Sequence, residues 1–540
     1  MIEENTTFWK ELDPRTTATT AVRTTGVATA AGVPTAAGIA SEGSIGTALL
    51  WVLPSAALLI VAVTALGELR RRHTRYRVTP DVVEFENGIF LRRRRVVHRD
   101  RIRVVDVTAD PVARTFGLAK VVVGTGEQAG ERTVTLKFVS SAVGERLRGR
   151  LLGRPLTGSR DSLVAQLDPS WVRYAPLSFV TPFLGFAAAG GVMQVADWFG
   201  LAPHVVGWVG DLFEGVPVLV MILVLLAVSQ VVGVVGSLGL FVEQWWHYSL
   251  EREPGGTLRV QRGLFTTRSI SLEESRLRGV EIVEPLGARI AGAARVDAVA
   301  TGMKNSGADD ESDHRILLPA APRDMALRVS TEVLREPGLW SESAVLIPHP
   351  VAARRRRLCW SLLAVSALVS LPALLGLLLT DVLLHISWVT ALVSAPAAVL
   401  LALDAYRSLG HAVTGDYLFV RSGTVRRGTV VLQRRGIIGW TVKQSIFQRR
   451  AGLVTIAVTT AAGTGAYRIV DVGEIEGLLF AEAVRPDLFA PFLEGHESLP
   501  TSPGTPVGSR IVGATSATGP IVDGTTPAAS PLSSRGTSSV

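Results

Sequence analysis

The chain has 540 residues, 47% of them hydrophobic and 19% charged, with 55 Lys and Arg against 47 Asp and Glu. A mean hydropathy of +0.33 excludes a soluble protein of ordinary composition unless the apolar residues are gathered into long runs, and the length leaves room for three or four domains. A single cysteine, Cys359, excludes an internal disulfide, and its apolar neighbours predict a small buried hydrophobe.

Residues 1–23 carry Glu3 and Glu4 near their start and lack the basic region that opens a secretory signal, so a cytoplasmic N-terminus is expected rather than a cleaved leader. A helix needs about 20 mostly apolar residues to cross the hydrocarbon core. Thr24 to Ala40, built from Ala, Gly, Thr and Val with Pro34 inside, is a weak candidate, and Thr47 to Gly67 is a strong one. Together they predict a first transmembrane hairpin over residues 24–67.

The segment 68–170 follows. From Glu68 to Arg173 there are 22 Lys and Arg against 12 Asp and Glu, an excess larger than that of the whole chain. Beside membrane spans, this predicts retention at the cytoplasmic face near anionic lipid rather than nucleic-acid binding. Period-two alternation in Val83-Glu84-Phe85-Glu86 marks a half-buried strand. Further β-rich runs lie at Val104 to Val107, Lys120 to Val123 and Thr133 to Phe138, and Ala142 to Leu152 has the apolar spacing of a helix.

The same order then recurs twice. Pro176 to Val195 and Val216 to Phe241 predict a second hairpin within 171–241. In 242–345, Leu258-Arg259-Val260-Gln261 and Gly279 to Val283 predict strands, and Arg323 to Arg335, opened by Pro322, a closing helix. Leu358 to Leu379 and Trp388 to Leu403 predict a third hairpin within 346–409. In 410–495, Leu418-Phe419-Val420-Arg421 and Val454 to Val458 predict strands, and Val472 to Val484 a helix. Residues 496–540 are dominated by Ser, Thr, Pro and Gly and are expected to be a disordered tail.

Charge orients these spans. The loops Ser41 to Ile45, Phe199 to Gly215 and Thr380 to Ser387 contain no Lys or Arg, whereas Arg70, Arg71, Arg72, Arg75 and Arg77 follow the first hairpin and Arg354 to Arg357 open the third. The positive-inside rule then predicts about six transmembrane helices in three pairs, with both termini and all three β-rich segments cytoplasmic in the cell membrane.

Those segments are copies of one unit. Sliding them over one another aligns Gly88, Gly263 and Gly423; an Arg follows 26 residues later in each copy (Arg114, Arg289, Arg449) and a Gly 29 residues later (Gly117, Gly292, Gly452). The first glycine suits the φ > 0 position of a hairpin turn. The arginine precedes a second turn, where hydrogen bonds to backbone carbonyls are the expected role. A small antiparallel barrel or sandwich plugged by a C-terminal helix is the simplest fold that buries both faces of such a unit.

On these residues the chain resembles bacterial membrane proteins with pleckstrin-homology-like (PH-like) domains of the second bacterial class. The matching pieces are Tyr76-Arg77-Val78-Thr79, the glycine turns followed by Phe90 and Phe265, the basic strand after the first turn, and the Arg-x-x-Gly element. The resemblance covers roughly residues 70–494 and implies membrane hairpins alternating with PH-like domains. It does not imply phosphoinositide recognition, because a fold does not carry a function. The first helix is less hydrophobic than the resemblance implies, and Gly436 stands where the earlier copies have Arg101 and Arg276.

No motif has catalytic spacing, and His98, His204 and His247 have no partners at metal-ligand spacing, so no enzyme activity, cofactor or metal is expected. Asp309, Asp310, Glu311 and Asp313 lack the even spacing of a calcium loop. The candidate surface for anionic lipid or a partner is Arg92, Arg94, Arg99, Arg101 and Arg103, with Arg92 and Arg94 on one face of a strand and Arg93 and Arg95 on the other. Gly233, Gly236 and Gly239 thin one helix face for close packing, and Gln230 is the main buried polar candidate within a span. The scarcity of such groups disfavours transport. The expected function is a non-enzymatic scaffold in the lipid bilayer whose PH-like domains bind other proteins, or one another, with anionic-lipid sensing as the alternative.

Overall fold

The computed structural model describes residues 9–88, 92–98, 102, 104–124, 134–151, 163–178, 180–253, 255–301, 315–340 and 346–486. The acidic loop at Asp309 to Asp313 and the tail after residue 495 lie outside them.

Three helix pairs are present. α1 (Arg15–Glu42) and α2 (Ile45–Arg72) form the first. α5 (Val180–Trp198) and α7 (Val218–Trp245) form the second, and the expected loop between them holds a helix of its own, α6 (Ala202–Leu212). α10 (Val351–Leu378) and α11 (Asp381–Arg407) form the third. At 1.5 Å per residue, a helix of 28 residues is about 42 Å long and spans the apolar core with turns to spare. Large side chains such as Trp51, Phe183, Leu223, Leu377 and Leu392 stand exposed along these helices, as a lipid-facing surface requires.

The expectation of six spans is met only in part. Among the described residues four helices qualify by length and composition, α2, α7, α10 and α11, and a fifth if α5 is joined to the 3-10 turn Pro169–Leu177 across a 75° bend. α1 packs along α2 as expected but is too rich in Thr and Gly to qualify. Its hydroxyls are nevertheless satisfied within the helix: Thr20, Thr24, Thr25, Thr29 and Thr35 each donate to the carbonyl four residues earlier. Two further expectations fail for one reason, the absence of a protein neighbour on the outward face. Cys359 is exposed on α10 rather than buried, and Gln230 is exposed on α7. The glycine face behaves as expected in part. A Cβ on Gly233 or Gly236 would collide with Thr181 or Leu184 of α5, while Gly239 faces open space.

Each β-rich module has one plan: a three-stranded meander, then three more strands with a short helix after the first, then a closing helix. In the first module these are β2 (Arg75–Val78), β3 (Val82–Asn87) and β4 (Arg93–His98), then β5 (Val104–Ala109), α3 (Pro111–Thr115), β6 (Leu118–Gly124), β7 (Val134–Ser140) and α4 (Ser141–Leu151). In the second they are β9 (Ser249–Glu253), β10 (Thr257–Arg262), β11 (Thr267–Glu273), β12 (Leu277–Pro285), α8 (Leu286–Ile290), β13 (Ala293–Ala300), β14 (Ile316–Pro322) and α9 (Arg323–Leu334). In the third they are β15 (Gly410–Thr414), β16 (Tyr417–Ser422), β17 (Arg426–Gln433), β18 (Ile437–Lys443), α12 (Ile446–Arg450), β19 (Leu453–Thr460), β20 (Ala466–Gly473) and α13 (Glu474–Val484). The alternation read from the sequence puts Val83 and Phe85, Leu258 and Val260, and Leu418 and Val420 into the cores. The closing helices contribute Leu147, Val329 and Phe480 to the same cores.

The modules are not separate barrels, which corrects the simplest expectation. β5 of the first module pairs with β11 of the second, giving one sheet in the order β7-β6-β5-β11-β10-β9-β8, where β8 is Leu163–Gln166. β12 of the second pairs with β17 of the third, giving β14-β13-β12-β17-β16-β15. The array ends in β1-β2-β3-β4, with β1 at Lys10–Glu11, and in β18-β19-β20. Replacing Gly233 by Leu is expected to wedge α5 from α7 and lower stability in detergent by about 1–3 kcal/mol, read as a drop in thermal midpoint. The same change at Gly239 should have little effect.

Candidate interaction surface

The repeated glycines and arginines build the contacts between modules. Gly88, Gly263 and Gly423 have φ of 130°, 111° and 105°, a region closed to other residues, and each follows the second strand of its meander. The turn at Gly263 sits on the end of α7, where the backbone N–H of Leu264 donates to the Glu243 carbonyl at 2.8 Å and that of Thr266 to the Glu243 carboxylate at 3.2 Å. The turn at Gly423 sits likewise on α11, with the Thr424 hydroxyl 3.2 Å from Asp404.

The arginines reach these turns from the preceding module. Arg114 donates to the Leu264 carbonyl at 2.6 Å, and Arg289 to the Asp404 carboxylate at 2.7 Å. Arg449 in the third module is exposed. Gly117, Gly292 and Gly452 follow the short helices at φ of 69°, 70° and 61°, and the N–H of each bonds back to its arginine's carbonyl, which fixes the direction of that side chain.

Ion pairs reinforce the second junction. Glu284, almost fully buried, accepts from Arg427 across β12 and β17 at 2.7 Å, and Arg323 lies 3.3 Å from its other oxygen. Arg426 lies 3.4 Å from Glu281, whose carboxyl is held above its usual range by burial and then by Asp297.

A second network fastens the third hairpin to its module. Asp471, fully buried and at φ 61°, receives Arg356 at 2.6 Å and Gln448 at 2.9 Å. The carbonyl of Asp471 meets His349 Nδ1 at 3.1 Å, and His349 Nε2 meets His411 Nδ1 at 3.1 Å. Burial holds both imidazoles neutral. It lowers the pKa of His349 and pushes that of His411 down to about 3, with His349 adding to the latter effect.

The predicted basic surface is only partly described, because Arg99, Arg101 and Arg103 lie outside the described residues. Arg92 is exposed, with Glu86 at 3.9 Å. Arg94 is tied to Glu84 at 2.9 Å, and Arg77 shares the same carboxylate. Burial would raise the pKa of Glu84, but the two guanidinium hydrogen bonds outweigh it and hold the carboxyl below its usual range. Trp9 packs its ring 5.0 Å from Arg77 and 5.8 Å from Arg94. Sequence reasoning missed the pairing of Glu84, Asp404 and Asp471 and the ring contact of Trp9: Glu84 meets its arginines across neighbouring strands, and the partners of the other three lie far along the chain.

This architecture, apolar helix pairs carrying repeated β modules closed by a helix, defines a class of membrane-anchored PH-like proteins. A bacterial PH domain model matches residues 31–154 and 366–482, and each match takes in part of a helix pair together with the β module that follows. A similar protein is the UPF0699 transmembrane protein YdbT of Bacillus subtilis (strain 168), 20% identical over 445 residues, which cover 77% of this chain and 86% of the relative. No solved structure matches. Residues 31–154 and 366–482 are thus similar to bacterial PH domains, on a chain with helices long and apolar enough to cross a membrane.

The histidine pair gives a pH prediction. Unfolded imidazoles take up protons below about pH 6.5, while the folded pair resists protonation. The unfolded state therefore binds more protons from about pH 6.5 down towards 3, and stability falls across that window as pH drops. The loss should approach about 1.4 kcal/mol per pH unit from His411 alone. Thermal melts from pH 7 to 5 should show a steeper fall for the native chain than for His411→Gln.

Proposed function

We propose that the chain is a non-enzymatic membrane scaffold whose PH-like modules, held at the cytoplasmic face by their hairpins, bind other proteins or further copies of the chain. The observation that carries this reading is the strand pairing at both junctions, β5 with β11 and β12 with β17, which links the three small domains into one array with an extended surface. Arginine–carboxylate pairs at the junctions and hairpin roots serve to hold that array together. The absence of Lys and Arg from the short loops within each hairpin supports the cytoplasmic placement of the modules.

A specific observation favours anionic lipid as a second ligand. A cavity of about 520 Å³ lies between α10, α11 and β20, lined by Arg356, Arg357, Trp360, Leu401 and Asp471. Its mixture of guanidinium, indole and apolar wall suits a lipid headgroup with its first methylenes.

Two measurements on the full chain separate the readings. Crosslinking in native membranes, followed by purification on a tag, should recover defined protein partners if the scaffold reading holds; recovery of the tagged chain with nothing specific bound would contradict it. Lipid extracted from the purified chain should show at most a modest loss of anionic species on Arg357→Ala in this cavity, or on Arg92→Ala with Arg94→Ala on β4. A several-fold loss, with no protein partner recovered, would favour the lipid sensor instead.

A further inference from the structure

The two internal junctions are the same junction. Val104, sixteen residues after Gly88, pairs with Leu272, nine after Gly263. Gly279, sixteen after Gly263, pairs with Leu432, nine after Gly423. In both, the fourth strand of one module meets the third strand of the next, antiparallel and in identical register. In both, the arginine 26 residues after the first glycine reaches across, Arg114 to Leu264 and Arg289 to Asp404.

The ends of the array hold the two unused halves of this junction. β4 is the third strand of the first module and β18 the fourth strand of the last, and among the described residues no strand pairs with the outer edge of either. On β18, Val442 is 43% exposed, and on β4, Val96 is 47% exposed. An open edge with exposed apolar side chains is a template for strand addition. The arginine tells the same story independently. The Arg449 guanidinium is exposed and makes no hydrogen bond or ion pair among the described residues, as expected of a clamp whose next module is missing.

We propose that copies of this chain join head to tail, β18 of one pairing with β4 of the next in the register of the internal junctions, while Arg449 reaches across to the next copy as Arg114 and Arg289 reach across within the chain. This rests on the scaffold reading and names its partner, a second copy. The register places Gly439 against Val97, Trp440 against Val96 and Val442 against Arg94. It also places Lys443 against Arg93, a like-charged pair that weakens the contact at low ionic strength. The interface is heterologous, so it propagates from copy to copy unless a ring closes. Because each module follows directly on a membrane hairpin, the extension runs in the plane of the bilayer.

The test uses two full-length copies with different tags, both carrying Cys359→Ser, one with Val442→Cys and the other with Arg94→Cys. After co-expression and mild oxidation in native membranes, a disulfide-linked band of twice the chain mass bearing both tags is expected. Arg93→Cys in place of Arg94→Cys turns the thiol to the other face of the strand and should reduce the band several-fold. Arg449→Ala, at an exposed position, should also reduce it several-fold, and Lys443→Glu should increase it. A band no stronger than the Arg93→Cys control, or one indifferent to Arg449→Ala, overturns the proposal. Crosslinks from either cysteine to a different protein alone would overturn it as well, yet leave the scaffold reading standing; failure to recover any partner would sink both.

Discussion

An unpaired strand edge is the constraint on which the rest of this structure depends. A six-stranded unit split into two three-stranded sheets leaves backbone donors and acceptors facing outward along its third and fourth strands. At its two internal junctions the chain satisfies them by pairing the fourth strand of one module with the third strand of the next. Everything that recurs in the sequence serves this pairing. The first glycine turns the chain so that the third strand runs back along the meander, the second glycine aims the arginine, and the arginine grips the next module where its turn rests on a membrane helix.

Part of this was legible in the residues themselves. The hydrophobic runs gave the helix pairs, the alternation of Leu258-Arg259-Val260-Gln261 and its counterparts gave the meanders, and the 26- and 29-residue offsets gave the repeat. These signals are local, or depend only on spacing along the chain. The arginines were expected to meet backbone carbonyls, and Arg114 does so, but on another module; a fixed offset within one copy cannot reveal a contact with the next. The merging of sheets was hidden for the same reason. β5 and β11 belong to different copies, more than 150 residues apart, and nothing in either strand distinguishes an inner partner from an outer one.

The first helix shows how composition and structure part company. α1 has the length and the partner of a span, yet its threonines keep it below the apolarity of one. Hydroxyls bonded to the preceding turn lower the cost of such residues in an apolar setting, and α1 also carries Arg15 and Arg23, which reach the Phe116 carbonyl and the Asp110 carboxylate of the first module. The helix is thus as much a brace for that module as a membrane element. The third hairpin adds a brace of its own, Asp471 with Arg356 and the His349–His411 pair, beyond the turn-on-helix contact it shares with the second.

Hydrogen exchange of the full chain, purified in detergent and followed by peptide mass spectrometry, tests the account at its centre. The edge amides of β5 and β11, and of β12 and β17, should exchange as slowly as those of the interior strand β10. Exchange at these four strands as fast as at a solvent-exposed edge would mean that the modules are separate domains, and the shared array would have no physical basis.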